Sequence, residues 1–394
     1  MKASRLLHSY LAGLVLFSTL HLACPAASFE LLITGSPPGP QNQDPATWQG
    51  VLQYAVTNLG ATPLQEPGID RTNVSDPAGL AFRRSTHEVF VGNRHGNVAP
   101  SSISRFLYDF ERRTLQPNGT ITNNGLYGVH QLTFHPVSGE LFAANFSGGV
   151  SRFTFGPNDE ALPNGVIGDG TCRGVLVSPS GRRLYVTTGI GNSIRRFDLA
   201  TGQELQSVQT PGSAGGGLHY LRAHEGLLYV AALYDDRVYR YRILPDDNLD
   251  LVDYLEMNDP VTVAFSPDGA EMFVSGHRTS SLIYRFLYSS ATGGWQEEAP
   301  VDAGQSLGDA LPIADAPFVA ATVSGNGLTL SWPRAASNWV VEKAASIGGS
   351  PQWTVLPLQV EVHQETVSAV VPTEGAAGFI RLRRGGAKSG TARP

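Results

Sequence analysis

Histidine, arginine and carboxylate side chains recur at two kinds of position along this chain. One group comes just before short apolar segments and consists of Asp76, His130, Arg173, His219 and Asp259. A second group follows the next apolar segment and consists of Asn93-Arg94-His95, Asn145, Asn192, Tyr234-Asp235 and His277-Arg278. Arginine can form paired hydrogen bonds to a carboxylate or phosphate, and a histidine with a carboxylate neighbour can activate water for ester hydrolysis. Together the two groups would suit an anionic or polyhydroxylated small molecule.

Eight of these residues form the candidate ligand-binding set: His130, Arg173, His277, Arg278, His95, Arg94, Asp76 and Asp259. Alignment of the repeated segments places His130 and Arg173 at equivalent positions, and His95 and His277 in the same kind of loop. None of the spacings is diagnostic of a reaction, so no catalytic residue is assigned. The alternative for each residue is a hydrated loop side chain. Asp76 and Asp259 both precede proline, which also favours a plain turn.

Two further kinds of chemistry are weaker alternatives. Asp76, Asp259 and Asn145 could hold a hard cation through oxygen ligands, but their spacing identifies neither a metal nor a cofactor. Cys172 could be a nucleophile, yet its motif contains no histidine or acid, so a buried structural thiol is the preferred interpretation.

The candidates lie within a repeat of short strands. In its clearest copy, residues 173–199, an alternating strand leads through a Ser-Pro-Ser-Gly turn to a second strand, and a Gly-rich turn leads to a third. The second strands carry an aromatic marker: Phe90, Phe142, Tyr185, Tyr229 and Phe273. The gaps between markers are 52, 43, 44 and 44 residues. A unit of about 44 residues with four short strands is typical of a propeller blade, and no unit has the period of a helical solenoid.

The repeat predicts a β-propeller of six four-stranded blades, with a seventh, irregular blade as the alternative. A degenerate unit at Leu31 to Glu66 lacks a recognisable first strand. Propellers often close by pairing strands from both ends of the chain, so we expect the missing strand beyond Glu298, near Leu311 to Phe318. In this geometry both groups of candidate residues surround one face of the central channel, because each occupies loops at that face.

The pattern changes after the repeats. Residues 304–318 are rich in Ala, Pro, Asp and Gly and indicate a linker between a propeller at 29–303 and a second unit at 319–385. Short strand-like runs from Leu328 to Leu382 predict a small β-sandwich of immunoglobulin or fibronectin type. The tail at 386–394 has no apolar face, which is typical of disorder.

The copy at Arg183-Leu-Tyr-Val-Thr-Thr, followed by Asn192-Ser-Ile-Arg-Arg-Phe-Asp-Leu, resembles the YVTN-type propeller repeat. Third strands that run into acidic hairpins, as at Phe153 to Leu162 and Tyr241 to Leu249, resemble the lactonase or 6-phosphogluconolactonase-like propellers. The resemblance covers about residues 29 to 303 and implies the fold. It implies no catalytic residues, because no lactonase motif matches residue by residue.

Residues 1–28 predict an export signal. Lys2 and Arg5 precede an apolar stretch at 11–22 and small residues that suit cleavage before Phe29. The apolar run is short for a membrane span, so no transmembrane helix is expected after cleavage. A lipid anchor at Cys24 is the weaker alternative, because His21 replaces the aliphatic residue of a lipobox. The protein is therefore expected to be periplasmic or secreted.

Composition restricts the partners. The 394 residues carry a net charge of −6 with no basic run, which argues against nucleic-acid binding. The sequence favours an exported propeller that binds a small molecule or protein at one face of its channel, with catalysis left open. The alternatives are a lactonase-type hydrolase that opens a sugar or related lactone at that face, and a matrix protein that docks through its C-terminal unit.

Overall fold

The strands of each repeat form separate antiparallel sheets. The computed structural model describes residues 29–36, 50–57, 60–63, 74–94, 101–110, 112–189, 191–212, 215–267, 269–277, 280–289, 294–304, 306–313, 320–324, 327–333, 339–344, 354–362, 366–372 and 379–384. These residues contain strands, turns and bends and no helix, so among them no helix is long and apolar enough to span a membrane. The all-β prediction is confirmed. The expected signal sequence, Cys24 and the C-terminal tail lie outside the described residues.

Six of the four-stranded sheets cover residues 29–313. Sheet 1 contains β1 (Phe29–Ser36), β2 (Gly50–Thr57), β3 (Gly60–Pro63) and β24 (Ser306–Ile313). Sheet 2 contains β4 (Pro77–Arg83), β5 (Glu88–Asn93), β6 (Ser102–Asp109) and β7 (Thr114–Ile121). Sheet 3 contains β8 (Val129–Phe134), β9 (Leu141–Asn145), β10 (Val150–Phe155) and β11 (Ala161–Ile167). Sheet 4 contains β12 (Gly174–Val177), β13 (Arg183–Thr187), β14 (Ser193–Asp198) and β15 (Glu204–Gln209). Sheet 5 contains β16 (Leu218–His224), β17 (Leu227–Ala232), β18 (Arg237–Ile243) and β19 (Leu249–Glu256). Sheet 6 contains β20 (Pro260–Phe265), β21 (Glu271–Gly276), β22 (Leu282–Ser289) and β23 (Gly294–Asp302).

One strand of each sheet, which we call its inner strand, contacts the inner strands of two other sheets. The contacts run from β4 to β8, β12, β16, β20 and β24, and from β24 back to β4. Four-stranded antiparallel sheets whose inner strands meet in this way are consistent with a β-propeller. Residues at the start of the inner strands are thereby brought to a common centre.

The inner strand of sheet 1 comes from the far end of this region. β24 pairs antiparallel with β1, with Glu30 opposite Ile313 and Ile33 opposite Ala310. The strand overlaps the expected position near Leu311 and lies in the stretch predicted as a linker. Its Gly, Asp and Pro residues are depleted in strands. Burial of Leu307, Ala310 and Ile313 against neighbouring sheets outweighs that local preference.

The aromatic markers of the second strands lie between neighbouring sheets. Phe90 is fully buried and packs with Leu132 and Phe153 of sheet 3. Tyr185 of sheet 4 packs in the same way with Leu221 and Tyr239 of sheet 5. Each marker therefore joins its sheet to the next one, and loss of a buried phenylalanine side chain typically costs about 3–5 kcal/mol.

Repeated arginines on the third strands are engaged in structural ion pairs. Arg105 donates from Nε to Glu88 at 2.7 Å, and Arg285 donates to Glu271 at 2.8 Å. In both cases the glutamate begins the second strand, and both partners are largely buried. These arginines stabilise the sheets and are distinct from the candidate site residues.

The remaining strands form two further sheets. A four-stranded sheet has the order β25 (Ala320–Ser324), β26 (Gly327–Pro333), β30 (Thr366–Pro372) and β29 (Val360–Val362). A three-stranded sheet has the order β28 (Thr354–Val355), β27 (Trp339–Ala344) and β31 (Phe379–Arg384).

Candidate functional site

Irregular pairing at the start of the inner strands aims side chains at the common centre. In β8 the pairing steps from Val129 opposite Asn145 to Leu132 opposite Ala143, so His130 and Gln131 face a single residue. A β-bulge of this kind turns side chains out of the normal alternation and is frequent next to functional sites. The same step occurs in β4, β16, β20 and β24, at Ala78-Gly79, His219-Tyr220, Val261 and Gly308-Asp309.

One residue at or just before the start of each inner strand lines a single cavity. The six residues, in the order of the contacting strands, are Ala78, His130, Arg173, His219, Val261 and Gly308. Arg94 and His277 join them from the loops after the second strands. Pro77, Tyr220 and Leu307 of the inner strands complete the lining. The cavity is narrow, because only about 10 Å³ is open to the centre of a water molecule, which is room for about one water.

The cavity wall is chemically divided. His130, Arg173 and His219 come from three successive inner strands and supply the polar half. The opposite three strands contribute only small or apolar residues at this position. Gly308 is required there by close approach, because a Cβ atom would lie 2.4 Å from the Thr34 hydroxyl and 3.1 Å from the Ala78 carbonyl oxygen.

Arg173 is a partly buried cation without an anionic partner among the described residues. Its Nε is buried and donates no hydrogen bond. The guanidinium carbon lies 5.0 Å from the centre of the Phe146 ring, which gives the charge a cation–π contact. Burial, followed by the charge of Arg94, lowers the pKa of Arg173. An anion in the cavity would accept a hydrogen bond from Nε and would offset the unfavourable burial of the Arg173 charge beside Arg94.

The three histidines of the cavity are neutral at neutral pH. Burial is the main cause that lowers the pKa of His130, of His219 and of His277, the last to about 4, and the nearby arginines lower all three further. Nδ1 of His277 is 2.6 Å from the carbonyl oxygen of Leu307 and therefore donates to it, which leaves Nε2 as an acceptor. The His219 side chain is hydrogen-bonded to no described residue. Neutral imidazoles of this kind can accept a proton from water.

The two candidate aspartates hold the loops that carry Arg94 and His277. The carbonyl oxygen of Asp76 accepts the Arg94 backbone NH at 3.0 Å, and that of Asp259 accepts the His277 NH at 3.1 Å. The Asp76 carboxylate also pairs with the Arg94 guanidinium at 2.6 Å. Both aspartates have positive φ angles, of 51° and 50°, which Asp adopts more readily than most residues. Neither lines the cavity, so their role there is to position Arg94 and His277.

Two buried side chains fill the centre next to the cavity. Gln131 accepts the backbone NH groups of Val175 and Leu221 and donates to the Leu221 carbonyl oxygen at 2.7 Å. It thus joins β8, β12 and β16. Asp309 accepts the Leu80 NH at 2.9 Å and the Thr262 hydroxyl at 2.7 Å, so it joins β24, β4 and β20. Both side chains are fully buried.

The structure therefore brings four of the eight candidates, Arg94, His130, Arg173 and His277, to one cavity. His95 and Arg278 lie outside the described residues. The set omitted His219, although its position before a strand gave the same signal as His130. Tyr220 and Asp309 were missed, because nothing in the pattern showed that bulges turn them towards the centre.

Two of the three proposed oxygen ligands, Asp76 and Asn145, are engaged by other side chains or backbone groups in the described part of the chain. The Asn145 amide is used internally, since it accepts the Tyr127 NH at 3.2 Å and donates to the Ser151 hydroxyl at 2.9 Å. No group of three His, Cys, Asp or Glu residues within the described ranges could share a metal ion. Cys172 is 1% exposed, and burial raises its pKa to about 12, so it is an un-ionised thiol at neutral pH.

No family model matches the sequence, and no curated protein matches it. Solved structures do match at the level of the fold. A 6-phosphogluconolactonase candidate from Bacteroides uniformis is 17% identical with a TM-score of 0.53, and 91% of this chain and 100% of that chain are covered. A second candidate, from Bacteroides fragilis, is 14% identical with a TM-score of 0.51 and coverage of 91% and 98%. The periplasmic gluconolactonase PpgL of Pseudomonas aeruginosa is 14% identical with a TM-score of 0.53 and coverage of 90% and 98%.

At these identities the likeness establishes the β-propeller fold alone. It agrees with the resemblance to lactonase-like propellers, whereas the YVTN repeat stays a prediction.

Proposed function

We propose that this protein is a lactonase-type hydrolase that opens a sugar lactone or a related lactone at the cavity of the propeller channel. The observation that carries the proposal is the meeting of Arg173, which has no anionic partner among the described residues, with neutral imidazoles in one narrow cavity. A cation and a neutral base are the two groups that hydrolysis of an ester by water requires.

In the proposed reaction, His219 takes a proton from water while the water oxygen bonds to the lactone carbonyl carbon. Arg173 stabilises the negative charge that develops on the carbonyl oxygen. The bond from that carbon to the ring oxygen then breaks, and the imidazolium of His219 returns the proton to the departing oxygen. The product is an open-chain hydroxy acid, whose carboxyl group releases one proton to solvent. Arg94 and His277, held by the two aspartates, complete the wall and orient the substrate.

The size of the cavity limits what enters it. Space for about one water admits the carbonyl edge of a lactone or the attacking water, but not a whole sugar ring. The body of the substrate would therefore lie at the mouth, among the loops that follow the second strands. This division suits a ligand that presents its reactive edge to the channel and its hydroxyl groups to solvent-facing loops.

The neighbours support this choice of chemistry. Two are candidates for 6-phosphogluconolactonase and one is named a periplasmic gluconolactonase. The last also supports the exported location that residues 1–28 predict. Mass spectrometry of protein recovered from the periplasm or medium tests this, with a mature N-terminus at or near Phe29 expected and an intact Met1 contradicting it.

We further propose that sheets 1–6 are the six blades of one propeller, closed by the pairing of β24 with β1, and that residues 320–384 form an immunoglobulin- or fibronectin-like sandwich. The cycle of inner-strand contacts supports the first assignment, and the sheets of four and three strands support the second.

The proposed activity is tested by titrating acid release from glucono-1,5-lactone and its 6-phosphate at constant pH, with the spontaneous rate subtracted. Wild-type protein is expected to accelerate opening of at least one. Arg173→Gln and His219→Gln should each lower kcat/KM by about 10²-fold or more. His224→Gln is the matched control, because His224 lies at the other end of β16 from His219 and stacks on Phe265.

Wild-type protein that binds these lactones or their product acids without accelerating the reaction would return the site to a binding role. No acceleration and no binding would contradict the site as proposed.

A further inference from the structure

Tyr220 occupies a position that is filled differently in every other inner strand. It follows the cavity-lining His219 in the β16 bulge. The residues that follow the cavity-lining residue in the other five inner strands are Gly79, Gln131, Gly174, Thr262 and Asp309. Two of these are glycines, and the other three are hydrogen-bonded to neighbouring inner strands. Tyr220 is the one bulky side chain at this position among the six described inner strands, and it lines the cavity instead.

The Tyr220 ring lies near two histidines of the polar half. Its centre is 6.5 Å from that of His130 and 6.2 Å from that of His219. The residue is 3% exposed and lines the cavity, and no hydrogen bond joins its hydroxyl to another described residue. Because Tyr220 lines the cavity, its hydroxyl is available to donate a hydrogen bond to a molecule bound there.

We propose that Tyr220 is a further catalytic residue, whose hydroxyl donates a hydrogen bond to the lactone carbonyl oxygen as that oxygen becomes negatively charged. This inference rests on the proposed lactonase function. It divides the work among three residues: His219 moves the proton, Arg173 supplies positive charge, and Tyr220 supplies a directed donor. No proton leaves Tyr220, so the balance of the reaction is unchanged.

The surroundings of Tyr220 suit a donor and exclude a base. Burial, and then the negative charge of Asp309, raise the pKa of Tyr220. The phenol therefore stays protonated at neutral pH, where the histidines are neutral. A donor already fixed in a narrow, buried cavity stabilises a developing oxyanion without reorganising at the moment of reaction.

The test is Tyr220→Phe, which removes one oxygen atom and keeps the ring. We expect kcat for the best lactone substrate to fall about tenfold to a hundredfold, with KM within about twofold and an unchanged pH dependence. Tyr241→Phe is the matched control, because the Tyr241 hydroxyl is buried without a partner in the contact between sheets 4 and 5 and Tyr241 does not line the cavity. Tyr241→Phe should leave kcat and KM unchanged. Both variants are to be checked for a melting temperature near that of the wild type.

The outcomes separate the two proposals. Active wild-type protein with a fully active Tyr220→Phe variant overturns this inference and leaves the lactonase proposal standing. A rise in KM alone also overturns it, because that result assigns Tyr220 to ground-state binding. Wild-type protein that opens no lactone overturns both proposals. Should Tyr220→Phe fail to fold, the protein is labelled with 3-fluorotyrosine instead, and its kcat is compared with that of unlabelled protein. A change in kcat that is also seen when the labelled protein carries Tyr241→Phe supports the donor role. An unchanged kcat overturns it.

Discussion

Arg222 donates from Nη2 to the carboxylate of Asp309 at 2.8 Å and so joins two inner strands that are not neighbours. Arg222 belongs to β16 and Asp309 to β24, with β20 between them. Gln131 contacts β16 one residue away, at Leu221. The Gln131 and Asp309 networks therefore meet on β16, and together they tie all six inner strands around the cavity.

Asp309→Asn is expected to destabilise the protein by about 3 kcal/mol, because it leaves the Arg222 charge without a counter-ion in a largely buried setting. Urea unfolding at pH 7 measures the change. Asp109→Asn is the control, since its partner Arg112 is 74% exposed and exposed pairs contribute less than about 1 kcal/mol. In Asp309→Asn/Arg222→Met the loss should be smaller than the sum of the single losses. Equal effects at Asp309 and Asp109 would contradict a central role for this pair.

The role of Asp309 could not be predicted from the sequence, although the fold could. The fold was predictable because each repeat carries its own strand periodicity and turn signals, as in residues 173–199. Asp309 lies in a stretch with no such signal, and its role comes from β1, which is distant in sequence. Residues whose positions depend on pairing between chain ends cannot be recognised from local patterns.

Stability should fall in mild acid through the cavity histidines. Burial lowers the pKa of His277 from 6.5 to about 4, so the unfolded state binds protons more readily than the folded state. The stability associated with neutral His277 is fully present above pH 6.5 and is lost as pH falls to about 4. The loss amounts to about 3 kcal/mol in the free energy of unfolding. The free energy of unfolding, measured in urea at several pH values, should decrease over this window.

Glu30 has the opposite effect on the pH dependence of stability, so its effect has to be separated from that of His277. Burial raises its pKa to about 7, so its contribution to stability grows as pH falls from 7 towards 4.5. A comparison of wild type with His277→Gln cancels this effect, because both contain Glu30. The stability difference between the two proteins should change with pH over the His277 window. A difference that is constant from pH 7 to pH 4 would contradict the neutral state assigned to His277.

The candidate site was only partly predictable, for a specific physical reason. His130 and Arg173 were found because aligned repeats place them before a strand. Asp76 and Asp259 were placed by the same rule, but the backbone carbonyl of each holds the loop of Arg94 or His277, and a side-chain argument does not consider that contact. Tyr220 comes one residue after His219, which the repeat placed at the channel face. Normal strand alternation would turn it away from His219, whereas the bulge keeps both in the cavity.

Cys172 is expected to be chemically silent. The thiol is 1% exposed and its pKa is raised to about 12, so almost no thiolate is present at pH 8. Native protein should resist iodoacetamide at pH 8 and react completely in urea, as measured by intact mass. Cys172→Ala should keep lactone-opening activity. Rapid labelling of the folded protein together with loss of activity would instead revive Cys172 as a nucleophile.

Gly189→Ala should impair the site by displacing Arg173. A Cβ atom at Gly189 would lie 2.1 Å from Cγ of Arg173, and Gly189 has a φ angle of 69°. The arginine must therefore move away from Phe146, and kcat/KM for the lactone should fall about tenfold to a hundredfold. Gly202→Ala is a matched control, because Gly202 has a φ angle of 72° and no atom within 4 Å of the added carbon. Both substitutions should cost about 1 kcal/mol in urea unfolding, since a left-handed conformation disfavours any Cβ. Only Gly189→Ala should lose activity, and equal activity in the two variants would contradict the role given to Arg173.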